Sequence, residues 1–349
     1  VKLSLSFDAA RGGLGVSEVV SAGAAVVGNG TSEAEESSIS RMPDAWPVTA
    51  VGLGSPAIQA ISRVGRRLPP PQGEPEAAFT VDVEDWYQSC VDYEAPITER
   101  VVRNVERIFE VLDDCAVKGT FFVQGRVAER FPQLLQQMVA LGHEVQSHGY
   151  SHRPLYVMNR DELWTELDRA RKTVEDAAQR PITSFRAQDF SILQNNLWAL
   201  ETLAEVGFTI DSSIFPMQAP RYGISGWDLA PQRVRLASDR SLLEVPVAIW
   251  RVGRWRIPAA GGGYFRVLPR SILARALRDI RDEGRPPIIY CHPYEFNAHE
   301  LDEYRGTVRT SLRLSQGLGR SSFVPRLRGL LTSLRFGRFD AVLKGWAVA

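Results

Sequence analysis

Between residues 79 and 296 the sequence keeps switching between short β-rich runs and helical patterns, and no other feature narrows the choice of fold as much. AFTVDVED, from Ala78, reads as a strand. TERVVRNVERIFEVLDD then carries Val101, Val105, Ile108, Phe109 and Leu112 at helical spacing, with Thr98 as the expected cap. GTFFVQG is the next strand, RVAERFPQLLQQMVALG a helix stopped by Gly142, and HEVQSH a strand again. RDELWTELDRARKTVEDAA places Leu163, Leu167, Ala170 and Val174 on one face before Pro181 ends it. ITSFRAQ, FTIDSS, LLEVPVAIW and PPIIYCHPYEF supply further strands, and NNLWALETLAEVG and PRSILARALRDIRDEG further helices. Such repetition demands parallel strands joined by crossover helices, hence an α/β sheet or barrel. In these folds the reactive groups collect at the carboxyl ends of the strands.

Polar clusters stand at four of those ends: Asp82, Glu84 and Asp85 on the first strand, His148 and His152 on the third, Arg186 on the fourth and His292 on the last. The chain has five histidines, and three fall within HEVQSHGYSH, residues 143 to 152. Neutral imidazole nitrogens bind first-row metals, and two histidines four apart at a strand-to-helix corner can face one ion. A carboxylate completes such a set. Strand alternation puts Asp82 and Glu84 on one face, and Asp85 can turn back from the strand end, so each of the three acids is a candidate to complete the set. An isolated pair of histidines four apart is weak evidence; its conjunction with the acids carries the weight.

The charges balance, 41 basic against 41 acidic residues, which gives no reason to expect nucleic acid as a partner. Cys90, Cys115 and Cys291 form no C-x-x-C pair, so a disulfide framework or a cysteine zinc site is not expected. No apolar run is long enough to span a membrane, and VKLSLSFDAARGG lacks the pattern of a signal peptide, so a soluble, cytoplasmic protein is expected. The chain begins with Val where Met is expected, which leaves its true start open. Residues 1 to 76, rich in Ser, Gly, Ala and Glu and ending in RRLPPPQGEPE, are expected to be disordered. Residues 77 to 300 then form the main domain, and 301 to 349 a helical extension. From Arg305 that extension carries Arg309, Arg313, Arg320, Arg326, Arg328, Arg335 and Arg338 against Asp340, a charge that suggests weak contact with an anionic membrane surface.

In order along the chain, TVDVEDW, HGYSH, FRAQDFS and YCHPYEF resemble the motifs of the polysaccharide deacetylases of carbohydrate esterase family four. VDVEDWYQ, FTIDSSIFP, GGGYFRVLP and HPYEF resemble most the subgroup associated with exopolysaccharide and exosortase loci, which has a comparable C-terminal extension. The resemblance covers residues 78 to 345. It implies a deformed (β/α) barrel and a divalent metal, usually zinc, held by His148, His152 and Glu84, with Asp85 as the alternative acid. Asp82 would be the general base, His292 the acid for the leaving amine, and Arg186 the partner that holds Asp82 ionised. The implied substrate is an acetylated glycan or its lipid-linked precursor, with N- and O-deacetylation both known in the family.

The sequence departs from the family at Gln188 and Asp189, where Pro and Ser commonly follow RA. The departure points to a specialised pocket, with Tyr150, Gln188 and Asp189 as candidate substrate contacts, and keeps open a hydrolase acting on a small amide. A glycan-binding module without turnover is disfavoured by the intact Asp82, His148, His152 and His292. Trp86, Tyr87, Trp227 and Tyr264 have the aromatic faces that stack on sugars, although an aromatic residue is more often core. His143 is expected at the surface, His299 in a polar loop, and Cys291 as a small buried hydrophobe.

Overall fold

Parallel strands run in the order Ile288–Cys291, Ala77–Val83, Thr120–Val123, Glu144–Ser147, Ser184–Phe185, Ile210–Asp211 and Ser241–Glu244 in a computed structural model of the chain. The structure describes residues 57–63, 70–219 and 221–346, together with the strand segments Ser6–Asp8 and Gly13–Gly15. Gln232–Leu236 continues the sheet antiparallel, followed by Ile58–Arg63. The chain after Ser241–Glu244 returns to the first strand of this order, where Ala248 N–H donates to Ile288 O at 2.8 Å and Tyr290 N–H to Ala260 O at 2.9 Å. Irregular backbone rather than a ladder closes the ring, which makes it a deformed α/β barrel.

Most of the N-terminal segment expected to be disordered lies outside the described residues. Of its described parts, Ser6–Asp8 pairs with Gly13–Gly15, and Ile58–Arg63 pairs with Gln232–Leu236 as an edge strand.

The helices form where periodicity and local chemistry agree. Arg100–Asp114 buries Val101, Val105, Ile108, Phe109 and Leu112 against the barrel, each aliphatic contributing roughly 1.5–3 kcal/mol. The Thr98 hydroxyl accepts the Arg100 N–H of the first turn at 3.4 Å and donates in turn to Asp85 at 2.5 Å. Arg160–Ala178 opens on a capping box in which Asn159 and Glu162 satisfy each other's backbone N–H groups, and it buries Leu163, Leu167, Ala170 and Val174. The single helix expected over RVAERFPQLLQQMVALG is two, Gly125–Arg130 and Pro132–Ala140. Pro132 offers no N–H to the preceding turn and starts the second helix instead.

The C-terminal residues are part of this barrel. Phe336–Gly337 pairs with the start of Ala77–Val83, and Trp346 Nε1 donates to Glu76 O at 3.0 Å. Phe339, Val342, Leu343 and Trp346 pack against Ala78, Phe122 and Ile288, filling the end of the barrel opposite the strands' carboxyl ends. The arginines that suggested a membrane contact mostly serve the fold. Arg305, Arg328, Arg335 and Arg338 pair with Asp302, Asp114, Glu76 and Asp340, while Arg313, Arg320 and Arg326 donate to backbone carbonyls. Among the described residues no helix is long and apolar enough to cross a membrane.

Candidate active site

Strand register builds the site. Val83, Val123, Ser147, Phe185, Asp211 and Glu244 are successive pairing partners across the sheet. The residues that follow the first, third and fourth of them are Glu84, His148 and Arg186, so three residues far apart in sequence emerge side by side at one rim. His152 returns to the same point because the chain turns sharply after His148: Gly149 has φ +70° and His152 itself φ +70°. A side chain at position 149 would also collide with Gln188, so the turn requires glycine on both counts.

Glu84, His148 and His152 are all buried, and one ligand atom from each lies within 4.8 Å of the other two. His152 Nε2 contacts Glu84 Oε2, and His148 Nε2 lies 3.5 Å from the same oxygen. His148 Nδ1 faces Arg186 O at 2.9 Å, which fixes the proton on Nδ1 and leaves Nε2 free to bind a metal. Burial opposes charge on Glu84, but His152, His148 and His292 hold its carboxyl well below the usual carboxylate range. For His152, burial also opposes charge, and Glu84 overrides it to raise the imidazole above its ordinary value. Two imidazole nitrogens and one carboxylate oxygen converging on a point fit a divalent first-row metal with positions left for water and substrate.

Asp82, one residue inside Val83 on the first strand, takes an ion pair instead. Arg186 Nη1 donates to Asp82 Oδ1 at 2.8 Å and to Thr80 Oγ1 at 2.7 Å, and Nη2 donates to Ser212 Oγ at 3.2 Å. The guanidinium is fully buried, 4.2 Å from the Phe122 ring centroid. A buried pair with this geometry fixes the direction of the Asp82 carboxyl.

His292 follows Ile288–Cys291, the strand next to Ala77–Val83. Its side chain is 23% exposed against 3–4% for Glu84, His148 and His152, so it is the imidazole of the site that incoming molecules reach most easily. Nε2 lies 3.9 Å from Glu84 Oε1 and Nδ1 3.5 Å from Glu295 Oε2. Burial pushes its pKa down, but the carboxylates of Glu295 and Glu84 outweigh burial and raise it to about 9.

Several sequence expectations are corrected here. Asp85 lies outside the cluster of Glu84, His148 and His152: its carboxylate accepts from Tyr87 N–H at 3.1 Å and from Thr98 N–H at 3.0 Å, capping the short helix Trp86–Cys90. Tyr150, expected to line the site, turns outward to the surrounding helices, where its hydroxyl donates to Glu129 at 2.5 Å beneath the Arg169 guanidinium. Gln188 is fully buried behind Gly149, so its amide is closed to substrate. Asp189 does reach the rim, with φ +52° and an ion pair to Arg221 at 3.2 Å. Trp86 and Trp227 are buried core residues, Trp86 lying against Tyr304. His143 is buried, not at the surface.

Sequence reasoning missed Glu295, Tyr294 and Arg221. Glu295 had a readable signal, an acid three residues beyond a strand-end histidine. Its carboxylate accepts from His292 N–H at 3.0 Å, a capping box on the turn Pro293–Phe296.

Comparison with known proteins agrees with this geometry. Residues 73–208 match the family model described as polysaccharide deacetylase, and residues 212–344 match one described as a domain of unknown function, DUF3473. The two matches meet between residues 208 and 212. Peptidoglycan-N-acetylglucosamine deacetylase of Bacillus cereus is 32% identical over 96 residues, 27% of this chain and 35% of that protein. Chitooligosaccharide deacetylase of Sinorhizobium fredii is 30% identical over 118 residues, 34% of this chain and 54% of that protein. The chain thus spans about a third to a half of the length of these relatives. A crystal structure assigned to the polysaccharide deacetylases from Mycobacterium smegmatis shares the fold, with a TM-score of 0.50 at 21% identity, covering 74% of this chain and 95% of that one. Through residues 73–208 the chain belongs to the polysaccharide deacetylase family, carbohydrate esterase family four, with the DUF3473 region as its C-terminal part.

Proposed function

We propose that the protein is a zinc-dependent hydrolase that removes acetyl groups from N-acetylated amino sugars of an exopolysaccharide or its lipid-linked precursor. The convergence of Glu84, His148 and His152 on one point beside the Asp82–Arg186 pair carries the reading. A zinc ion held by these three residues supplies Lewis acidity and a lowered water pKa. Asp82, aimed by its hydrogen bond from Arg186, takes the proton from the attacking water. His292, charged and partly exposed beside Glu84, gives a proton to the departing amine, and Glu295 steadies its ring. At the rim, Asp189 with Arg221 and the Tyr93 ring, 6.2 Å from that of His152, provide polar and aromatic contacts suited to a sugar. The ordered motifs and the named activities of the relatives support glycan over small amide.

Acetate release from N-acetylglucosamine oligosaccharides, measured with metal content, tests the proposal. Asp82→Asn is expected to keep the metal and lose on the order of 10²–10⁴ in rate. Zinc-loaded wild type that frees no acetate from any acetylated glycan sinks it, and small acetamides turned over faster than oligosaccharides replace the glycan with a small amide.

A further inference from the structure

Each carboxylate oxygen of Glu84 has its own company. Oε2 faces the two histidines, while Oε1 accepts a hydrogen bond from the Tyr294 hydroxyl at 3.1 Å. The Tyr294 ring lies parallel to the His292 imidazole, 4.9 Å away with an interplanar angle of 5°, so this one side chain touches both the metal acid and the proton donor. Tyr294 itself is held from the C-terminal region. Arg320, buried, donates Nη1 to Tyr294 O, anchors Nε on Gln316 O at 2.7 Å, and sets its guanidinium 5.4 Å from the Tyr294 ring centroid.

A free carboxylate can bind a metal through one oxygen or both and can rotate between them. A hydroxyl donor fixed on Oε1 occupies that oxygen and turns Oε2 toward the imidazoles. We propose that Tyr294 is a positioning residue that commits Glu84 to bind its metal through Oε2, and that Arg320 of the C-terminal region holds Tyr294 in place for it. The inference rests on the metal-site reading of Glu84, His148 and His152. It gives the DUF3473 region a function: the tail that plugs the far end of the barrel also sends one arginine to the catalytic rim.

Zinc affinity by chelator competition, the visible spectrum of the Co²⁺-loaded protein and the melting temperature of the metal-free protein together test it. Tyr294→Phe keeps the ring and its packing on His292, so its metal-free melting temperature stays near wild type. Its zinc affinity is expected to fall about 10–100-fold, the usual cost of losing an outer partner of a metal ligand, and the Co²⁺ bands to shift as Glu84 changes its ligation. Arg320→Met is expected to move both readouts the same way; should it fail to fold, Arg320→Lys keeps the charge but loses the planar fork and serves instead. Wild-type affinity and spectrum in Tyr294→Phe, with zinc lost in Glu84→Ala, overturn the role of Tyr294 and leave the metal site standing. Zinc affinity unchanged in Glu84→Ala overturns the metal-site reading and this inference with it. A weakened Tyr294→Phe beside wild-type affinity in the Arg320 variant overturns the part assigned to the C-terminal region.

Discussion

His143 and His148 stand at opposite ends of the Glu144–Ser147 strand, both buried, and they do unrelated work. His143 lies 5.6 Å from Phe109 in a stacked pair and 5.1 Å from Phe121 edge-on, and its Nδ1 accepts the Gly119 N–H at 3.1 Å. Burial first, then the nearby cations Lys118 and Arg338, push its pKa down to about 4. His148 has its Nδ1 on the Arg186 carbonyl and its Nε2 toward Glu84. What separates them is which strand end they occupy. At the carboxyl end the register gathers acids and histidines, whereas at the amino end His143 meets the rings of Phe109 and Phe121. Burial alone therefore marks neither; the polar company does.

The largest effect follows from removing each imidazole in turn. His148→Ala deletes one of the candidate metal ligands, and metal affinity is expected to fall by more than the roughly 10–100-fold that an outer partner costs. His143→Phe is expected to leave metal content at the wild-type level. Elemental analysis and chelator competition on both variants decide the matter, and equal metal loss in the two would erase the distinction drawn between the strand ends.

Acid titration gives the second test, and its sign follows from the depressed value of His143. The folded state keeps the ring neutral down to about pH 4, whereas the unfolded chain protonates it near pH 6.5. Stability contributed by the neutral ring is full above the unfolded value and is lost as the pH falls from about 6.5 toward 4, by up to about 3 kcal/mol. Glu144 beside it runs the other way: burial, then Asp340, raise its carboxyl to about 7, so it favours folding at the acid end of the same window. The difference between wild type and His143→Phe isolates the histidine. Urea unfolding from pH 7 to 4 is expected to show a shallower loss in the variant, beneath a pH-independent cost of about 1–3 kcal/mol for the unpaired Gly119 N–H. Parallel pH curves for the two proteins would show that His143 protonates as readily folded as unfolded.

How far the sequence could be read follows the same division. Periodicity is local, so Val101, Val105, Ile108 and Leu112, or Leu163, Leu167, Ala170 and Val174, name their helix face from sequence alone. The strand-end rule is nearly local too, and it places Glu84, His148, Arg186 and His292 in one rim because parallel register carries a sequence position across the sheet. Side-chain direction is not local. Tyr150 sits between two site histidines in sequence, yet Glu129 and Arg169 draw it outward. Tyr294 earns its place through a hydroxyl that meets Glu84 across 210 residues of chain, and Arg320 through a carbonyl 26 residues back. His143 looks like a surface residue until Phe109 and Phe121 close on it. Residues whose role depends on a distant partner were the ones that sequence could not place.

Glu84 and Asp85 pose the comparison at its closest, since two adjacent buried acids left the metal carboxylate undecided. The partner that separates them is Thr98, whose N–H and hydroxyl both reach Asp85. Successive side chains of an extended segment point to opposite sides, so the register that aims Glu84 at the histidines aims Asp85 away, toward the first turn of Trp86–Cys90. Asp85→Ala should therefore behave as the loss of a helix cap, with stability down by about 0.5–2 kcal/mol and zinc affinity unchanged. The cost is expected near the upper end, because Thr98 N–H and Tyr87 N–H lose their acceptor together. Chemical unfolding with a parallel metal titration reads both quantities. If the alanine variant lost zinc while its unfolding midpoint held, the carboxylate that binds the metal would be Asp85, and the register argument that placed Glu84 at the centre of the site would fail at its first residue.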